Sequence, residues 1–314
     1  MSFASEVKKE CSERELTGSE GRAELSAMIQ LTSSLTLSSE GMALLITAEN
    51  TMIAKTILRL IKERYDAETI LFVKRKMNLK KNLVYGIRVV SDVKEILTDL
   101  GLYSSRGLLD KPLRKIVQSD NNARAYLTGA FMAAGSVNPP ETANYHLEII
   151  AASKAHAEFL AELTDRFGIP AKITERRGKQ VVYVKAAEKI ADFLRIIGAY
   201  DALMRFEDER ITRDFNNAVR RLANVDLANE MKTQAAAKNQ MDDILYLEES
   251  GKLQKLDQKL QDVAQLRKQF PEWSLKELAD EYAKRTGTVV SKSGMKHRFV
   301  RIHEAAEKGR KNEK

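Results

Sequence analysis

From residue 22 to residue 197 the chain alternates between two hydrophobic periods, helical and two-residue, in an order that occurs twice. In the first pass Arg22–Leu31 has the helical period. SLTLSSEGMALLITAEN then holds two short strands with Gly41 at the turn. Met52–Tyr65 predicts a second helix, ETILFVKRK and NLVYGIRVV a hairpin, and Val93–Leu100 a closing helix. In the second pass Ala123–Ala134 predicts a helix, with strands around Ser136 and over Tyr145–Ile150. Lys154–Phe167 is the next helix, AKITERR and QVVYVKA the next strands, and Glu188–Ile197 the last helix. A spacing near a hundred residues is too long for a solenoid, so the pattern predicts a duplicated αββαββα domain about a pseudo-two-fold axis. Each half of this α+β domain carries a four-stranded sheet with helices on one face, which leaves the other face open.

Beyond Asp201 the period stays helical. FEDERITRDFNNAVRRLANVDLANEMK is charge-dense and free of glycine and proline, which predicts a connecting helix that breaks around Asn224 and Val225. A further helix is expected from Asp226 to before Gly251, and another over Leu256–Phe270, stopped by Pro271. In SLKELADEYAKRTGTVVSKSGMKHRFVRIHEAA, Ser274 and Glu277 have the spacing of a capping box. Leu275, Leu278, Ala279 and Tyr282 form one apolar face, Gly287 permits a turn, Val290 can plug the core, and Ser291 can cap the next helix. There Met295, Phe299, Ile302 and Ala306 share the inward face. The expected organisation is a duplicated domain over 1–205, with repeats at about 20–102 and 121–200. A connecting helix over 206–225 and an all-α helix-turn-helix domain over 226–310 follow.

Charge sharpens the last of these. The formal net charge is +8, and between Lys284 and Lys314 ten Lys or Arg face three acids. The positive field is thus concentrated at the C-terminal end, where it favours a polyanion. A solvated basic tail is the plain alternative. The helix-turn-helix pattern over 274–307 favours double-stranded DNA, because the outer side of the second helix carries Ser291, Lys292, Ser293, Lys296, His297, Arg298 and Arg301 with no acid among them. Trp273 reads as a core anchor beside Pro271. Cys11 is the single cysteine, which excludes an intrachain disulfide framework and points to a reducing cytoplasm. MSFASEVKKECSERE has no apolar run, so neither a signal peptide nor a membrane span is expected.

YLTGAFMAAGSV, Tyr126–Val137, is unusual for a core-covering helix, because Gly129, Ala133 and Ala134 stand where larger residues would bury more surface. An interior glycine costs about 1 kcal/mol relative to alanine. LTGAFMAAG within it resembles the LAGLIDADG helix of homing endonucleases, and LSAMIQLTS, Leu25–Ser33, is similar to a degenerate copy. The resemblance implies that the two helices pack at the pseudo-two-fold axis, where small residues let their backbones approach. It also implies a metal-binding acid at each motif's eighth position. Those positions are Thr32 and Ala134 here, and the sixth positions, Gln30 and Met132, lack acids as well. Glu24, Glu141 and Glu148 lie nearby as isolated glutamates with a solvated, surface role expected, so no nuclease chemistry, metal or cofactor is expected.

In that family the open sheet faces form a saddle on DNA. Here the hairpins carry Lys74, Arg75, Lys76, Lys80 and Lys81 in the first repeat, and Lys172, Arg176, Arg177, Lys179 and Lys185 in the second. They suit accessory contacts to a DNA backbone, and equally the lysines that guard strand edges against aggregation. His146, His156, His297 and His303 have no metal-ligand spacing, and no phosphate loop or nucleophile motif occurs.

MSFASEVKKE, RRLANVDLANEMKT and SLKELADEYAKRTGTVVSKSGMKHR together resemble the WhiA family of DNA-binding regulators, and the likeness covers essentially the whole chain. Membership implies a transcription regulator in cell division and chromosome segregation, with sporulation control in sporulating relatives. It implies a cytoplasmic, nucleoid-associated protein with DNA and protein partners, no membrane and no small-molecule substrate. An active endonuclease and a division-linked scaffold are the competing readings.

Overall fold

The computed structural model describes residues 2–16, 18–38, 41–75, 83–142 and 144–311. The chain forms two compact units, Met1–Arg213 and Asp214–Lys314.

In the first unit α1 (Phe3–Ser12) precedes α2 (Gly18–Thr32), β1 (Ser33–Ser38), β2 (Gly41–Ala48), α3 (Thr51–Tyr65), β3 (Thr69–Arg75), β4 (Leu83–Val89) and α4 (Val93–Asp99). After a two-residue hairpin, β5 (Tyr103–Ser104) and β6 (Gly107–Leu108), the order recurs. It runs α5 (Asp120–Ala134), β7 (Gly135–Val137), β8 (Leu147–Ala151), α6 (Lys154–Asp165), β9 (Lys172–Arg176), β10 (Lys179–Val184) and α7 (Ala187–Ile196). The sheets have matching antiparallel orders, β1-β2-β4-β3 and β7-β8-β10-β9. Their registers agree too, since Ser33 faces Ile46 and Gly135 faces Ile149, while Ile46 faces Ile87 and Ile149 faces Val182. The duplication expected from the periodicity is therefore present strand for strand.

Period-two alternation decides which sheet face meets the helices. Leu44, Ile46, Ile87 and Val89 are buried in the first repeat, and Leu147, Ile149, Val182 and Val184 in the second. The seam between repeats is α2 against α5, with Leu25, Met28, Ile29, Tyr126, Leu127 and Phe131 buried along it. Tyr126 donates no charge to this core. Its ring meets Phe159 edge-on at 5.4 Å, and its hydroxyl bonds His156 Nε2 at 2.9 Å. His156 Nδ1 accepts from the Ala152 N–H at 3.2 Å, so its Nε2 carries the proton, and burial lowers its pKa to about 4. His156 is thus structural, as a histidine without partner ligands is expected to be.

α8 runs without a break from Tyr200 to Glu249, which corrects the expected interruption at Asn224 and Val225 and the expected start of a new helix at Asp226. Asn, Val and Asp each cost only a few tenths of a kcal/mol in a helix, and this segment has no glycine or proline, the strongest helix breakers. Its first turn is capped from a distance, because Glu10 accepts the backbone N–H groups of Asp201 at 2.8 Å and Ala202 at 3.1 Å.

The second unit packs the end of α8 with α9 (Gln258–Gln269), α10 (Leu275–Thr286) and α11 (Lys292–Lys311). Ile244, Leu247, Val263, Leu278, Tyr282, Met295, Phe299 and Ile302 make its core.

Candidate nucleic-acid interface

α10 starts on the expected capping box. Glu277 N–H donates to Ser274 Oγ at 3.3 Å, and Ser274 N–H donates to Glu277 Oε2 at 2.7 Å. Gly287 ends the helix at φ 72°, a left-handed conformation that a side chain disfavours, and so opens the turn. Ser291 Oγ then accepts from the Gly294 N–H at 3.1 Å and begins α11. Met295, Phe299, Ile302 and Ala306 are buried as the spacing predicts, which turns the opposite side of α11 outward.

That side exposes Ser291, Lys292, Ser293, Lys296, His297 and Arg301, but it does not include Arg298. The Arg298 guanidinium lies over the Tyr282 ring at 4.4 Å with Nη1 buried. Its half-buried position has a helical cause. Position 298 flanks the inward stripe at 295, 299 and 302, so the side chain lies along α10 and packs through its stem and cation–π contact. Arg301 is only loosely held, by an exposed pair with Asp257 at 3.4 Å that contributes little. Lys284 and Arg285 pair with Glu281, and Arg310 with Asp243. The positive field of the C-terminal stretch is therefore carried by Lys292, Lys296 and Arg301 along the outer side of α11 and by Lys308 and Lys311 at its end, and these four lysines have no ion-pair partner among the described residues.

Two features were not anticipated from the sequence. Val289 in the turn is 89% exposed and Val300 on α11 is 42% exposed, so the cationic face carries apolar points suited to a thymine methyl group. Val300 could have been found, since it falls off the inward stripe. The other is Arg267, 1% exposed beneath the motif. Its Nη1 donates to the carbonyls of Pro271 at 3.2 Å and Trp273 at 2.6 Å, Nε donates to Gln240 Oε1 at 3.1 Å, and the guanidinium lies 5.3 Å from the Phe299 ring centroid. It fixes the turn that delivers Ser274 to its cap. Trp273 stacks on Phe270 at 3.8 Å, an anchor as expected.

On the open sheet faces the register groups some of the hairpin cations and separates others. Lys179 and Arg176 are register partners, and Lys172 lies on the same face opposite Tyr183. Arg177 occupies the hairpin tip at φ 54° beside Gly178 at φ 72°, the pair of positive values a two-residue turn needs. Lys185 covers the Tyr183 ring at 5.3 Å. In the first repeat Lys74 is on the open face over Phe72 at 5.1 Å, and Arg75 alternates to the other side. Lys76, Lys80 and Lys81 lie outside the described residues.

At the ends of the seam helices stand Thr32, whose hydroxyl donates to the Met28 carbonyl at 2.7 Å, and Ala134. Of the three nearby glutamates only Glu141 is exposed as expected, and none of them is isolated. Glu24 is 1% exposed within the seam, where burial raises its pKa to about 7 against the pull of Arg14 and Arg59. Glu141 accepts from Arg205 at 2.7 Å, and Glu148 bonds His146 at 2.9 Å. Among the described residues no three His, Cys, Asp or Glu side chains gather as metal ligands would. No helix among them is long and apolar enough to cross a membrane.

Two LAGLIDADG-like halves whose seam helices end on Thr32 and Ala134 rather than on acids, joined to a C-terminal helix-turn-helix region, define the class. Comparison gives the family. The WhiA N-terminal LAGLIDADG-like domain matches residues 18–103, the WhiA LAGLIDADG-like domain 123–216 and the WhiA C-terminal HTH domain 219–306. A probable cell division protein WhiA of Lactobacillus acidophilus is 45% identical over 98% of each chain. One of Bacillus cereus is 44% identical over 100% of this chain and 98% of its own. Full-length WhiA from Thermatoga maritima shares the fold with a TM-score of 0.58 at 23% identity, covering 98% of this chain and 99% of that one. The chain belongs to the WhiA family.

Proposed function

We propose that this chain is a sequence-specific, double-stranded-DNA-binding transcription regulator that acts in cell division and chromosome segregation, without enzymatic activity. The observation that carries the reading is the N-terminal half of α11, an outward face with Lys292, Lys296, Ser293 and His297 exposed and no acid on it. Phosphates suit the lysines, and base edges suit the serine, the histidine and Val300. The names of the relatives above, probable cell division proteins, support the cellular role. Nucleoid association follows from the DNA contact. The hairpin cations Lys74, Arg176, Arg177 and Lys179 would add sequence-independent backbone affinity, with partner proteins a second use of the same face.

Alanine at Lys292 and Lys296 tests the reading in titrations of chromosomal fragments over a salt series. Each phosphate contact removed should weaken binding and lower the salt slope by about 1. Unchanged affinity and slope in the double variant would overturn the assignment. Arg298→Ala should instead act through packing against Tyr282.

A further inference from the structure

Where the second unit begins, α8 is left uncovered. From Asp214 to Ala236 every residue except Asn217 is exposed, a stretch of about six helical turns and roughly 35 Å. Burial within the unit resumes only at Ala237. A helix in water draws most of its stability from a covered apolar face, and this segment has such a face without a cover. Phe215 is 68% exposed and Leu222 66%, and Ala218 and Val225 are exposed beside them. The four repeat at intervals of three, four and three residues. That is the spacing of a coiled-coil stripe, with Phe215 and Leu222 at a positions of a heptad and Ala218 and Val225 at d positions.

The charges at the rim of the stripe identify what fits it. In a parallel pair of helices a g residue of one faces the following e residue of the other, and these positions set partner and orientation. Here they are Arg221 and Asp226, both exposed. Neither has an ion-pair partner among the described residues, and at five residues apart they lie beyond the helical neighbours at three and four. Two copies of the helix side by side make this opposite-charge pair twice. Asn229, at the next a position, then faces its own copy, an arrangement that fixes register and favours two strands. An antiparallel pair that kept the four apolar residues in contact would set Arg221 against its own copy, charge against like charge. The complement of this face is therefore the same face, in parallel.

We propose that α8 pairs in parallel and in register with α8 of a second copy of this chain, through Phe215, Ala218, Leu222 and Val225, with reciprocal Arg221–Asp226 pairs at the rim. Two heptads bury less than a standard protein interface, so the pair forms and dissociates with concentration and is not permanent. Further along, α8 contributes Ile244 and Leu247 to the core that also holds Met295 and Phe299 of α11. Each pair therefore carries two copies of α11 at the same end of the joined helices.

The test is the mass of the full chain by sedimentation velocity between about 1 and 100 µM, the range of weak association. It should rise from one chain toward two. Leu222→Ser should hold it at one chain. Leu227→Ser, at an exposed apolar position on the far side of the helix, should behave as the unsubstituted chain does. Arg221→Glu should weaken pairing severalfold, and adding Asp226→Arg should restore it, as only the parallel register requires. A mass of one chain at every concentration would overturn the proposal and leave the face to a partner of another kind. Loss of pairing in Leu227→Ser, or no restoration by the double exchange, would overturn it as well. Lys292→Ala with Lys296→Ala should leave the mass unchanged, so pairing and the DNA reading fail separately.

Discussion

Gly129 of α5 sits against the backbone of Glu24 in α2, so closely that a Cβ on Gly129 would lie 2.3 Å from the Glu24 carbonyl oxygen. The obstacle is main chain rather than a movable side chain, and the two helices would have to separate. Gly129→Ala should therefore destabilise the first unit by about 2 kcal/mol or more, although alanine gains about 1 kcal/mol in helix propensity. Thermal and denaturant unfolding of the variant would measure it, and a neutral or stabilised variant would refute the close-packed seam.

Glu24 itself is buried with Oε2 unbonded. Its folded pKa, about 7, lies above the ordinary 4.5. The folded state therefore binds the extra proton between those values, and this group's contribution to stability falls as pH rises from 4.5 through 7. Glu24→Gln should remove that loss, stabilising the protein by up to about 3 kcal/mol above pH 8 and by little below pH 4.5. Melting curves at both ends of the range decide it. Destabilisation that appears above pH 8 and vanishes at low pH would instead show that the carboxylate is bound as an ion.

Arg267 holds the turn before α10 through backbone carbonyls and touches no exposed surface. Arg267→Met should lower the stability of the second unit by about 3 kcal/mol, by leaving those carbonyls and Gln240 without their donor. DNA affinity should fall only in proportion to unfolding, while the salt slope of the folded fraction is retained. A changed slope with unchanged stability would instead make Arg267 a DNA contact.

Thr32 and Ala134 occupy the positions where the resemblance calls for metal-binding acids. Supercoiled DNA incubated with the full chain and Mg²⁺ should remain unnicked over hours. Reproducible nicking that disappears in Glu148→Gln would reverse this expectation and make the protein a nuclease.

Local rules account for much of the agreement between sequence and structure. The two passes of helices and strands follow from period, the α10 cap from Ser274 and Glu277, and the inward stripe of α11 from spacing at 295, 299, 302 and 306. Even the anomaly at Gly129 was visible, because a glycine amid good helix formers signals a close approach. Glu24 was misread, and Arg298 is less exposed than its neighbours, for one reason. A charged residue is expected in water unless a neighbour distant in sequence covers it, and Tyr282 and the facing seam helix do so.

The chain alone determined the duplication and the helix-turn-helix, since each arises from residues near one another along the backbone, while the seam was implied by the resemblance of its two helices. Tertiary structure alone decided which cations remain unpaired and which apolar faces stay uncovered. Phe215, Ala218, Leu222 and Val225 have a helical spacing much like that of Met295, Phe299, Ile302 and Ala306, yet the first set is exposed and the second buried. Only contacts between residues distant along the chain separate the two cases, and only exposure makes the stripe on α8 consequential.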